Sequence, residues 1–184
     1  FGIMAMQLEA LIPPGLPSEK ILSSLTTFDH AGLAKGLAAK GFNPIELGGD
    51  LGMFLPNVYS RESVQNLAAL QAGGLAYTLH LPLWSVEPST PLTPVRKGSV
   101  EAVVQTILAT RLIEPEVYVL HATGALAAEF YNMKISELAR SLILQQFQSG
   151  ARASVQTILT ETGLPSRRLA FETVEFTLEL TLEL

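Results

Sequence analysis

The chain has 184 residues, 48% of them hydrophobic and 16% charged, with no cysteine and a formal net charge of -5. That length and apolar content suit one domain with a buried core and exclude intrinsic disorder. With 12 basic against 17 acidic residues, no broad positive field is available to hold nucleic acid; without cysteine there is no disulfide scaffold, thiolate nucleophile or sulfur-ligated zinc. Any metal must be held by His, Asp or Glu.

The sequence opens at Phe1, and the stretch to Met6 is too short and lacks the basic flank of a signal peptide, so a processed or more distant start is expected. No apolar run reaches the roughly 18 to 20 residues of a membrane span. A soluble, cytoplasmic protein is expected.

Short β-rich runs alternate with longer helical patterns, which predicts a parallel sheet flanked by helices. Phe1 to Met6 reads as the first strand, followed by a loop with Pro13, Pro14, Gly15 and Pro17. The spacing predicts a helix over Asp29 to Lys40 with Gly41 as its stop, then a strand from Pro44 to Leu47 ending in Gly48, Gly49 and Asp50. His30, at this helix start, is expected on the surface. Ser60 is placed to cap a helix through Gln71, with Glu62 in its first turn and Gly73 and Gly74 behind it.

Leu75 to His80 reads as the third strand, and a proline-rich loop follows it. Ser99 is expected to cap a one-faced helix built on Val100, Val103, Val104, Ile107 and Leu108, with Arg96 and Lys97 solvated at its start. Val117 to His121 is the fourth strand. Ile135 to Thr162 is a long helical stretch that Gly150 is expected to interrupt, and Arg168 to Glu172 the fifth strand. Thr177 to Leu184 repeats Thr-Leu-Glu-Leu and is read as the first turns of a helix, with Glu175, Glu179 and Glu183 on a solvated face.

In parallel α/β architectures, ligands bind beyond the carboxyl ends of the strands. Those ends carry Glu46, His80, His121 and Glu172, all able to bind metal or transfer protons. They are 34, 41 and 51 positions apart. Each interval accommodates a crossover unit of about 30 or more residues, so consecutive strands bring them together. Parity puts His80 on one face with Thr78 and Ala76, and Tyr77 and Leu79 on the other, as in a barrel strand with small residues inward. Two neutral imidazoles and a carboxylate make a three-ligand metal site with room for water or substrate oxygen. Trp84 stands four residues after His80, where it can wall a ligand site. No dinucleotide fingerprint, P-loop, nucleophile elbow or zinc-protease helix is present.

The runs His80-Leu81-Pro82-Leu83-Trp84, Leu120-His121-Ala122-Thr123-Gly124 and Leu169-Ala170-Phe171-Glu172-Thr173 resemble strand-end motifs of the xylose isomerase-like TIM-barrel superfamily. That superfamily contains sugar and sugar-phosphate isomerases and epimerases and endonuclease IV-like phosphodiesterases. The resemblance implies a (β/α)8 barrel in which this chain supplies strands one to five as a single domain, residues 1–184, the later strands lying beyond it. A complete barrel needs eight strands and about 250 residues. It further implies a divalent metal (Mn, Mg, Zn or Fe) on His80, His121 and Glu172, with Glu172 also moving the proton beside a substrate carbonyl. Thr173 stands where the family often has Asn.

Three functions follow as expectations. The first is a sugar or sugar-phosphate isomerase or epimerase, with Glu172 and Glu46 catalytic and Trp84 against the substrate. The second is a metal-dependent phosphodiesterase, acting on a small phosphodiester such as the nucleotide loop of a corrinoid. The third is a non-catalytic partial barrel. The expected partner is a small-molecule carbohydrate, with no nucleic acid and no membrane; a homo-oligomer stays open.

Overall fold

The computed structural model describes residues 2–4, 15–17, 19–20, 23, 28–55, 57–123, 129 and 133–172, with backbone only at 53 and 54. Most of the first loop, Gly124, Thr173 and the repeated tail lie outside the described residues. Five parallel strands alternate with helices in the order β1 to β5: β1 (Ile3–Met4), β2 (Ile45–Gly48), β3 (Tyr77–His80), β4 (Val117–Leu120) and β5 (Leu169–Phe171). The α/β architecture is the expected one. Among the described residues no helix is long and apolar enough to cross a membrane. The chain gathers into two compact units, Phe1–His80 with Leu108–Tyr118, and Leu81–Ile107 with Val119–Leu184.

In the first unit, Asp29 caps helix α1 (His30–Ala39) by accepting from Gly32 N at 2.8 Å, and Gly41 turns the chain with φ 90°. A single turn, α2 (Leu51–Phe54), follows β2, and Ser60 caps α3 (Arg61–Ala72) by accepting from Ser63 N. Strand β2 pairs with β3 in the register Glu46 to Thr78 and Gly48 to His80. Asn43 ties the strand entrances together: its carbonyl oxygen accepts from Ala76 N at 2.9 Å and its amide donates to Gly74 O. Tyr77, on the outward face, sends its hydroxyl to Leu67 O of α3, and burial pushes that phenol up to about 12.

His30 departs from expectation. It is 1% exposed, and neither ring nitrogen has a partner among the described residues. Its imidazole lies between the rings of Phe28 and Tyr59, with centroids 5.6 and 5.7 Å away. The same two aromatics pack on Leu51, Leu55 and Val58. A residue opening an Ala- and Gly-rich helix looks like surface in one dimension, whereas here the helix start faces inward.

In the second unit, helix α4 spans Thr93–Thr110, so it begins six residues before the predicted cap. Pro94 takes an early helical position, where its missing N–H costs nothing. Ser99 sits inside the helix: its hydroxyl donates to Val95 O and accepts from Glu87 N at 2.8 Å. Arg96 is likewise engaged, donating to Thr90 O.

Helix α5 (Glu137–Thr162) starts at the Ser136 cap and ends at Gly163, whose φ of 65° suits a glycine. It runs unbroken through Gly150. A Cβ there would collide with the carbonyl of Ser89, so glycine lets the helix approach the 88–90 loop. Ser154 fastens the same contact by donating to Pro88 O at 2.6 Å. A 3-10 turn at Ser166–Arg168 then leads into β5, so Arg168 precedes the strand instead of opening it.

Candidate metal centre

Each of the three predicted ligands stands at a strand's carboxyl end. His80 is the last residue of β3, and His121 and Glu172 directly follow β4 and β5. The backbone holds them there. Gly49 N donates to His80 O at 2.6 Å, Leu81 N to Val119 O at 2.8 Å, and Glu172 N to Leu120 O at 3.1 Å.

Nε2 of His121 lies 2.9 Å from Oε2 of Glu172. His121 is 4% exposed and the Glu172 side chain 44%, so a buried imidazole meets a carboxylate that is open to a ligand. His80 is 6% exposed. One ligand atom from each of His80, His121 and Glu172 falls within 4.8 Å of the others. Imidazole nitrogens and a carboxylate oxygen at this spacing are a donor set for a first-row divalent metal.

Glu46 is placed differently. It lies on β2 opposite Thr78, whose hydroxyl donates to its Oε2 at 3.1 Å. Parity aligns Glu46 and Gly48 on one strand with Thr78 and His80 on the other, as predicted for an inward face. Glu46 is therefore one inward position below His80 and outside the three-residue cluster. From sequence parity Thr78 is only a small inward residue; its register opposite Glu46 comes from the sheet. Trp84 is 57% exposed in the turn after β3.

Between α4 and α5 a separate cavity of about 490 Å³ has Val100 and Val104 in its wall and Arg96, Lys97, Glu101 and Glu161 around it. None of the strand-end residues lines it, so it is not the metal centre.

No protein family matches the chain as a whole, and no curated protein matches its sequence. Solved structures do match. One is a D-tagatose 3-epimerase-like protein, 21% identical, with a TM-score of 0.53 over 74% of this chain and 46% of the other. The likeness is one of fold, a partial TIM barrel. This partial barrel spans about half the length of that structural neighbour. In the terms of such a barrel, β1 to β5 are consecutive staves, and the cluster sits at the carboxyl ends of three of them, the usual location of TIM-barrel active sites.

Proposed function

We propose that this chain carries the metal corner of a divalent-metal enzyme that isomerises or epimerises a sugar or sugar phosphate. The observation that carries the reading is the convergence of His80, His121 and Glu172 at three strand ends. The structural neighbour's description as D-tagatose 3-epimerase-like supports it. The donor chemistry fits Mn, Mg, Zn or Fe, with the softer imidazoles favouring the transition metals over Mg. A cation held there would polarise a substrate carbonyl and make the neighbouring C–H acidic.

The chain's own residues do the rest. The two imidazoles are buried, which limits the positions their nitrogens can take. Glu172 receives the proton from the substrate carbon and returns it on the same face to the neighbouring carbon, which is isomerisation; epimerisation would require a second proton donor on the opposite face. Its exposure gives the substrate access to one side of the carboxylate, while His121 orients the other. Trp84 supplies an apolar surface against a sugar's C–H face.

The test is bound-metal content and ketose interconversion in the full-length protein. A metal-free protein whose Glu172→Gln variant keeps full activity would overturn the reading. A second reading, a metal-dependent phosphodiesterase, is favoured by the ratio of two imidazoles to one carboxylate. Small phosphodiesters rather than DNA are then the substrates, because the chain is acidic overall. Metal-dependent release of product from a phosphodiester panel, with no ketose conversion, would establish it in place of the first.

A further inference from the structure

We infer that Glu46 is a specificity-determining residue, a hydrogen-bond acceptor for a substrate hydroxyl remote from the reacting carbon. The inference rests on the carbohydrate reading and adds a requirement to it: the substrate is a polyol chain longer than the metal-bound end alone.

Three observations lead there. Thr78 fixes one carboxylate oxygen of Glu46, Oε2, at 3.1 Å, which sets the group's height along the sheet. The other oxygen has no hydrogen-bond partner among the described residues and is not sealed from solvent. The next inward position on β2 is Gly48, so β2 itself places no side chain between this carboxylate and the strand end, where the register sets Gly48 opposite His80. Among the described residues an acceptor oxygen is therefore available one inward position below the level of His80.

Distance decides the role. Glu46 lies one inward position, about 7 Å along the strand, below the level of His80, so the group assigned to it is a hydroxyl set back from the metal-bound end and not the reacting C–H. It can accept from a hydroxyl farther along a sugar held by its carbonyl end.

The experiment is a cycle that crosses protein and ligand. Binding of D-fructose, D-tagatose, D-psicose and D-sorbose, of their phosphate esters, and of the monodeoxy analogues of each, is measured calorimetrically on manganese-loaded wild type and Glu46→Gln, with turnover followed in parallel. The glutamine keeps an oxygen for Thr78 and presents an amide donor where the free acceptor was. In the wild type, removing one particular remote hydroxyl weakens binding about tenfold or more, as expected for a hydrogen bond to a charged group. In Glu46→Gln the parent sugars bind weakly and removal of that hydroxyl costs little further. Thr78→Val, which frees the carboxylate without removing it, gives an intermediate loss at the same hydroxyl.

Equal sensitivity of wild type and Glu46→Gln to every deoxy position would overturn the inference. So would a wild type that binds none of the ketohexoses or their phosphate esters, which removes the carbohydrate reading as well. Sugars that bind without turnover would defeat the catalytic reading alone, and the binding cycle would still decide the role of Glu46.

Discussion

His121 Nε2 and Glu172 Oε2 stand 2.9 Å apart although 51 positions separate them in the chain. A buried imidazole and a partly open carboxylate thus meet in one hydrogen bond. Glu172→Gln is expected to lower kcat by about a hundredfold or more, the usual cost of removing a positioned proton-transfer group. Steady-state kinetics on the metal-loaded protein check this, with metal content measured alongside to separate lost binding from lost chemistry.

Metal should stabilise the fold through the same residues. At a free concentration a hundred times its Kd, a cation that binds only the native state adds about 2.7 kcal/mol. Manganese or zinc is expected to raise Tm, and chelator to reverse the rise. His80→Ala or His121→Ala should abolish the shift; a full shift in both variants would place the metal elsewhere.

Acid sensitivity is expected at His30. Burial, partly opposed by the neighbouring charge of Asp29, lowers its pKa from 6.5 to about 4. The unfolded chain therefore takes up this proton first as pH falls, so the contribution is full above about pH 6.5, is lost progressively toward pH 4, and changes no further below. A shift of that size corresponds to about 3 kcal/mol. His30→Leu removes the titrating group and should flatten stability between pH 6.5 and 5, measured by urea unfolding against the wild type.

Gly150→Ala is expected to destabilise by about 1–3 kcal/mol, because the methyl meets the Ser89 carbonyl and overpacks the contact. Intrinsic helix propensity acts in the opposite direction by about 1 kcal/mol. Ser154→Ala should cost about 1–3 kcal/mol by leaving the buried Pro88 carbonyl unpaired. Chemical denaturation of both variants tests whether the 88–90 loop is held by α5.

The alternation of strands and helices was legible because β2 to β5 are short apolar runs set off by glycine, proline or capping residues. Strand-end chemistry was legible for a related reason: His80, His121 and Glu172 are polar residues closing apolar strands, and period-two parity assigns their faces. Three features were hidden because their causes are tertiary. Ser99 has the local signature of a cap, yet its hydroxyl is used by Glu87 from a preceding loop. Gly150 looks like a helix breaker until the Ser89 carbonyl occupies the space of its missing side chain. His30 carries no local sign of burial, because Phe28, Tyr59 and the cluster around Leu51 enclose it from separate segments.

The backbone bonds on either side of His80 have a consequence for how such a protein can change over generations. Gly49 fastens the carbonyl of His80, and the next amide, Leu81 N, is fastened to Val119. The ligand's anchor thus belongs to the sheet, whereas Trp84 and the residues after it belong to a loop. Insertions or exchanges in that loop can alter which molecule is admitted while the donor atoms keep their places. On the metal-enzyme reading, substrate preference is then open to change by small mutational steps in the loop that leave the strand-end donors undisturbed.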